Sequence, residues 1–529
     1  MLVEIIHRIT GPHLLQKGTG AALWICAVDS IELQRIWERV AQGCSALAWD
    51  APQIKYNDMG ASISICAPVD QLYVACAVLE WALEEASWNE EQVRNEEEEN
   101  LSLRNLYEHC VALRLSFTVD EDAFCYGYGK NHRRYSLDAL PQIHELPQEK
   151  SIPIVGITGT NGKTTTTRML ASIAKVEGFC VGATSSDGVV VNEELVVSGD
   201  WTGSEAARKV LRHSNVEFAV LETARGGLLR RGVVIPNMDV VGITNVSPDH
   251  YGSWGINSLS MLQRAKLSII HGLKHGGILV LNEEHIDLYE MFVREYAPIR
   301  PDIAVVFFSL HNTDRIVHIH NGHIIVNGSV CCCVEEIPLT INGFAKYNIE
   351  NAVMASTLAF CAGLSVRATK EGLQRLHPNP KDSQGRTNIF TYREGTVILD
   401  FAHNEHGVQV MVDLVKAMNP KRSFMVIGQA GDRDEDLLAG MSYAAASLQC
   451  DLYFLKHLKK HNETRSAEET LDIIKNKLLE AGVSPKQIQI CDGEIDAAEK
   501  ALSILKSGDI LLLLAHSYYA QILDLIEKG

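Results

Sequence analysis

Residues 152–170 read IPIVGITGTNGKTTTTRML. An apolar run from Ile152 to Ile157 enters the turn Gly159-Thr160-Asn161-Gly162. Lys163, Thr164 and Thr165 follow, and Met169, Leu170 and Ile173 then recur at helical spacing. The pattern predicts strand, phosphate loop and helix. Glycines let backbone N–H groups crowd around phosphate oxygens, and the helix N-terminus adds a positive field. Lys163 is placed to reach the β- and γ-phosphates of a nucleotide, and the Thr164 hydroxyl to ligate Mg²⁺. The spacing is narrower than G-x-x-x-x-G-K-[ST], because Ile157 stands six residues before Lys163. The loop predicts a nucleotide without saying how it is used.

At 529 residues the chain has room for three or four domains. Its apolar content of 46% and charged content of 22% are those of an ordinary globular protein. A net charge of −18 argues against a general nucleic-acid or anionic-membrane partner. No apolar run is long enough to span a bilayer. The opening MLVEIIHRITGP has no basic segment followed by an apolar core, so it does not read as a secretory signal. Thirteen scattered cysteines, without zinc-ligand spacing, predict reduced thiols in a cytoplasmic protein.

Outward from the loop the pattern divides three ways. Residues 1–150 predict a small α+β domain, with strands over 2–9, 21–28 and 61–67 and helices over 31–40 and 71–85. It ends in the acidic run NEEQVRNEEEEN (89–100), the basic cluster Asn131-His132-Arg133-Arg134 in a loop, and a linker near 135–150. Residues 151–393 alternate strand and helix, with strands at 218–222, 240–244, 277–282 and 303–309. This predicts a doubly wound parallel sheet. Asn321-Gly322 predicts a hairpin that also accounts for His318, His320 and His323. In residues 394–529 the pattern restarts, with strands at 397–400, 423–427, 451–455 and 510–515, as a smaller Rossmann-like α/β domain.

Five further segments lie downstream of the loop: Leu221–Gly227 (LETARGG), Thr244–His250 (TNVSPDH), Tyr347–Asn351 (YNIEN), Gly385-Arg386 and Asp400–Asn404 (DFAHN). Lys266 lies on a predicted helix after His250. In a parallel sheet the carboxyl ends of the strands share one edge, so Glu222 and His250 converge beside the phosphate loop. In this order the segments resemble the Mur ligase family of ATP-dependent amide-bond ligases, over about residues 152–529. Ser185–Gly188 (SSDG), Ser198–Gly203 (SGDWTG) and Gly431–Asp436 (GDRDED) bring the chain closest to the Mur-type half of the cyanophycin synthetases. Thr10-Gly11-Pro12-His13 is faintly similar to their N-terminal domain. The ATP-grasp domain that separates those two parts has no counterpart here, since the linker runs straight into the phosphate loop.

The resemblance implies roles at matching positions. ATP phosphates fall to Lys163 and the 159–165 backbone. One Mg²⁺ falls to Thr164 and Glu222, and a second to His250. Lys266 stands where many relatives carry a carbamylated lysine. Asn348 and Asn351 are assigned to adenine, Arg386 and Asp400 to phosphate and ribose, and His403 and Asn404 to the meeting point of nucleotide and substrate. Arg225 is the candidate anchor for the acceptor carboxylate, because a guanidinium fork binds one bidentately. The implied partners are a carboxylate acceptor, peptide-like, and an amino-acid or dipeptide amine. The alternatives are a glutamate ligase acting on a folate-like acid and a non-catalytic ATP-binding regulatory subunit. For the N-terminal domain the choices are peptide holding, structural support or homo-oligomer contact.

Overall fold

The computed structural model describes residues 2–26, 28–57, 60–84, 86–94, 99–148, 150–248, 256–431, 435–458 and 465–528. His250, residues 432–434 of the GDRDED segment and residues 459–464 lie outside them. The chain forms two compact units. One is drawn mainly from the residues up to 319, with 353–369. The other takes mainly 370–529, with 330–352.

The first unit opens with an antiparallel sheet of β1 (Leu2–Ile9), β2 (Gly20–Cys26), β3 (Gln53–Asn57) and β4 (Gly60–Cys66), in the order β1-β2-β4-β3. Helices Ser30–Ala46 and Leu72–Leu83 pack on it through Ile36, Val40, Val74 and Val78. Among the described residues of the acidic run, which leave out 95–98, lies a short helix, Glu90–Arg94, and helix Leu101–Ala112 follows the run. A second small sheet joins β5 (Phe117–Val119), β6 (Ala123–Tyr126) and β7 (Arg133–Ser136). Arg133 and Arg134, expected in a loop, are therefore strand residues, paired with Tyr126 and Cys125.

The central sheet contains β8 (Ile154–Thr158), β9 (Val181–Ser185), β10 (Gly188–Val191), β11 (Glu194–Ser198), β12 (Phe218–Glu222), β13 (Met238–Ile243), β14 (Leu273–Asn282), β15 (Ala304–Ser309) and β16 (Val317–His320). Their order is β11-β10-β9-β12-β8-β13-β14-β15-β16. From β9 to β16 all pairings are parallel, as expected, whereas β10 and β11 add an antiparallel edge. Ile154, Leu221, Val241 and Leu279 join one core cluster. Their strand neighbours Val155, Val220, Val240 and Val280 are equally buried. Burial on both faces is what a sheet wrapped by crossover helices requires. β17 (His323–Val326) and β18 (Ser329–Cys333) follow; the turn at Asn321-Gly322 is as expected, with Asn321 at φ 46° and Gly322 at φ 73°.

In the second unit β19 (Asn388–Tyr392), β20 (Gly395–Asp400), β21 (Ser423–Ile427), β22 (Leu452–Lys456), β23 (Ile488–Cys491) and β24 (Ile510–Leu514) take the order β19-β20-β24-β21-β22-β23. Only β19 is antiparallel. Since β19 pairs with β20, a boundary between 393 and 394 runs through a hairpin. Ile398, Met425 and Leu512 face one core, and Val397, Phe424 and Leu511 the other. Among the described residues no helix is long and apolar enough to cross a membrane, and no group of three His, Cys, Asp or Glu side chains could hold a metal ion. All thirteen cysteines are free thiols.

Candidate active site

The phosphate loop leaves β8 at the centre of its sheet, with β12 on one side and β13 on the other. Gly159 sits at φ 151° and Gly162 at φ 81°. A Cβ on Gly159 would lie 1.8 Å from Thr244 Oγ1, so only glycine lets the loop close against the segment after β13. That segment braces the loop. The Thr160 N–H donates to the Asn245 carbonyl at 2.8 Å and the Asn161 N–H to Asn245 Oδ1 at 3.0 Å. Thr244 Oγ1 donates to the Asn161 carbonyl at 2.6 Å. The Thr160 and Asn161 amides are thus engaged by Asn245. Helix Lys163–Glu177 starts just after them, and helix geometry leaves its first-turn amides with no i−4 carbonyl, an arrangement suited to an anion.

Four expected side chains meet at this loop. Thr164 Oγ1 lies 3.2 Å from Glu222 Oε1 at the carboxyl end of β12, and 3.1 Å from Ser186 Oγ. Lys266, buried on helix Leu259–Leu267, donates to the Gly159 carbonyl at 2.6 Å. Lys163 Nζ is folded back onto the Thr160 carbonyl at 2.9 Å. Arg225 is half-buried at the first turn of helix Arg225–Arg231. The Ala224 N–H before it donates to the Thr202 carbonyl at 3.0 Å, which ties the 198–203 segment to the end of β12. Ser186, Thr244 and Asn245 fall in segments quoted from the sequence, but none of the three was assigned a role of its own there. Their position after strand ends was the available signal.

In the second unit, Asp400 ends β20 fully inside the protein. Its Oδ2 accepts from the Thr387 N–H at 2.7 Å and the Thr387 hydroxyl at 3.2 Å, and its Oδ1 from the Ala402 N–H at 2.7 Å. Burial pushes its carboxyl above the usual range, while the Arg386 guanidinium opposes that shift. Arg386 also lies over the Phe401 ring, 5.3 Å from its centroid. Thr387, a β-branched residue at φ 52°, is held in this uncommon conformation by Asp400 and by the Tyr347 hydroxyl at 2.5 Å. His403 is half-buried, with Nδ1 3.0 Å from the Phe401 carbonyl. A carbonyl only accepts, so in the neutral ring Nδ1 carries the proton and Nε2 is the basic nitrogen. Asn404 caps helix Glu405–Ala417, its Oδ1 accepting from the Gly407 N–H at 2.7 Å. Asn348 and Asn351 are buried neighbours on helix Lys346–Cys361. Asn351 donates to Asn348 Oδ1 at 3.1 Å, and Asn348 to the Leu339 carbonyl at 2.7 Å.

The sequence did not single out the buried pair Lys456–Glu494 near this segment. Nζ and Oε2 are 2.7 Å apart and both side chains are wholly inaccessible. Glu494 also accepts the N–H groups of His516, Ser517 and Tyr518 at 3.0–3.1 Å. These contacts hold its carboxyl down at about 2 against the cost of burial. His516 Nε2 in turn lies 3.0 Å from the Ala402 carbonyl, and burial lowers this imidazole to about 3.

Comparison with known proteins matches residues 157–359 to the Mur ligase middle domain and residues 385–516 to the Mur ligase glutamate ligase domain. A cyanophycin synthetase from Synechocystis sp. is 33% identical over 397 residues, 73% of this chain and 45% of that one. The chain therefore spans less than half the length of that relative. A UDP-N-acetylmuramoyl-L-alanyl-D-glutamate–2,6-diaminopimelate ligase from Halalkalibacterium halodurans is 23% identical over 75% of this chain and 79% of its own. A bifunctional folylpolyglutamate synthase/dihydrofolate synthase, solved with Mn, AMPPNP and L-glutamate bound, shares the fold. Its TM-score is 0.54 at 19% identity, over 70% of this chain and 89% of that one.

Proposed function

This chain belongs to the Mur ligase family, and we propose that it is an ATP-dependent carboxylate–amine ligase that works through an acyl phosphate. The observation that carries the proposal is the meeting of Thr164, Glu222 and Lys266 around one glycine-braced phosphate loop at the carboxyl edge of a parallel sheet. In the reaction an acceptor carboxylate oxygen attacks the γ-phosphorus of ATP, and ADP leaves. An amine then attacks the acyl carbon, loses a proton and displaces phosphate. Activation is required because a carboxylate anion is a poor electrophile.

The donor set fits a hard cation. A hydroxyl and a carboxylate oxygen 3.2 Å apart, beside the loop, match the oxygen preference of Mg²⁺. Thr164 and Glu222 are the residues proposed to hold it, with His250 proposed for a second ion. Mg²⁺, when bound, offsets charge on the phosphoryl oxygens. Lys163 supplies a further positive charge there after exchanging the Thr160 carbonyl for phosphate oxygen. Lys266 fixes the loop through Gly159. Arg225 is proposed to anchor the acceptor carboxylate. In the second unit Asn348 and Asn351 are proposed for adenine, Arg386 and Asp400 for phosphate and ribose, and His403 and Asn404 for the substrate end. Asn404 would act from its helix-capping position.

For the substrates, similarity to the cyanophycin synthetases favours an amino-acid or dipeptide amine and an aspartyl-peptide acceptor. Residues 456–468, KHLKKHNETRSAE, differ from the Arg-Gly-Arg-containing loop expected of those enzymes, so arginine is one amine to test among several. The test is phosphate release from Mg²⁺-ATP across a matrix of amines (arginine, lysine, glutamate, β-aspartyl-arginine) and acceptors (aspartyl peptides, β-aspartyl-arginine oligomers, a folate). Glutamate with the folate as the productive pair would move the chain to the folate-like alternative.

A further inference from the structure

A cavity of about 1140 Å³ lies within the first unit, with Arg8, residues 10–12, Arg208 and Arg231 in its lining. This is on the scale of a small-molecule site, roughly 300–1,000 Å³. The ligase chemistry described above uses none of these residues. The N-terminal segment is stitched to the helix that starts at Arg225. The Thr10 N–H donates to the Arg231 carbonyl at 3.0 Å, the Val233 N–H to the Pro12 carbonyl at 2.7 Å, and His13 Nε2 lies 2.7 Å from the Leu229 carbonyl. A Cβ on Gly11 would come within 2.3 Å of the Val233 carbonyl oxygen, so the Thr-Gly-Pro-His stretch is shaped to form this wall.

The lining holds seven basic and seven acidic side chains, but five of the acids and only two of the bases are exposed, so the inner charge does not balance. Arg208 is 5% exposed and its Nε has no hydrogen-bond partner; its one ion pair, to Glu205, uses Nη1. Arg231 is half-buried, and among the described residues its guanidinium makes no hydrogen bond or ion pair, Glu205 acting on it only at longer range. Arg8 is paired with Glu121. Both acidic partners are themselves largely exposed, Glu205 at 65% and Glu121 at 64% of the side chain. The other inner acids are already committed, Asp70 to Arg104 and Asp120 to Arg212. The lining acids Asp50, Glu108 and Asp122 are exposed to solvent. An inner excess of guanidinium is left with an unused donor nine-tenths buried. Buried charge of this kind is stable only when paired.

We propose that this cavity is a second binding site, taking a small ligand through a carboxylate or phosphate group held by Arg208 and Arg231. The guanidinium fork accepts either oxyanion bidentately. Because its lining shares no residue with the phosphate loop, the site can be tested with that loop disabled. Isothermal titration calorimetry on the full chain carrying Lys163→Ala would use succinate and inorganic phosphate as separate probes. At least one should bind with a Kd of about 1 mM or tighter. Adding Arg231→Gln, which keeps the backbone carbonyl that Thr10 uses, should weaken that binding about tenfold or more. Arg208→Lys, which keeps the charge and removes the fork, should do the same. Binding of succinate alone would assign a carboxylate ligand, and binding of phosphate alone a phosphate ligand. Failure of both probes to bind, or Kd values unchanged in both arginine variants with wild-type melting temperatures, would overturn the proposal.

Discussion

Replacing Lys456 by Met tests the energetics of the second unit most sharply. Lys456 and Glu494 are both wholly inaccessible, 2.7 Å apart, at the end of β22 and the start of helix Glu494–Ser503. Removing the ammonium strands a buried carboxylate, a change that costs about 3–5 kcal/mol. The three N–H donors from residues 516–518 remain, so the loss should fall near the lower end of that range. Glu494→Gln strands the ammonium instead. It also places an amide that can donate against those three N–H groups, so it should cost at least as much. In Lys456→Met/Glu494→Gln neither charge is left uncompensated, and its loss should be smaller than the sum of the singles by about 2 kcal/mol or more. Thermal unfolding of the full chain, followed calorimetrically, is the assay, with a drop of roughly 10 °C expected for Lys456→Met. A melting temperature within a degree of wild type, or single-variant losses that simply add, would refute the assignment of a coupled buried pair.

Four further outcomes are expected. Lys163→Ala should lower ligand-dependent phosphate release by about 10²-fold or more, as for loss of one preorganised charge contact. Gly159→Ala should abolish measurable nucleotide binding in a fluorescent-ATP titration, because its Cβ would meet Thr244 Oγ1 at 1.8 Å in a loop pinned at both ends. Glu222→Gln should raise the Mg²⁺ concentration needed for half-maximal activity, measured by metal titration, more than it alters nucleotide affinity. Acid should destabilise the chain: burial holds His7, His13 and His516 down at about 3, 4 and 3. The unfolded chain then binds more protons below pH 6.5, so stability falls as the pH drops through that value. By pH 5 each histidine should cost about 2 kcal/mol relative to pH 7.5. Glu494 adds its own loss only below about pH 4.5. Equal denaturant midpoints at pH 5 and 7.5 would contradict this.

The phosphate loop and the buried parallel strands were legible because they depend on local signals, namely apolar runs ending in glycine turns. The strands missed lacked that signal. β11 (Glu194–Ser198) is exposed along most of its length, and β19 (Asn388–Tyr392) is an edge strand of mixed polarity. Arg133 and Arg134 read as loop residues because exposed edge positions tolerate charge. Asn404 was read for chemistry while its helix-capping position, one residue before Glu405, went unused. The Asn245 brace of the phosphate loop joins residues 84 positions apart, and the Lys456–Glu494 pair spans 38. Such contacts exist only once the sheets assemble, and no spacing rule announces them.

The central claim is tested most directly by incubating the protein with Mg²⁺-ATP and each amine–acceptor pair, while measuring phosphate release and product mass. The account predicts release that requires both partners, with a product heavier than the acceptor by the amine less one water. Tight ATP binding with no pair-dependent phosphate release across the whole matrix would contradict it.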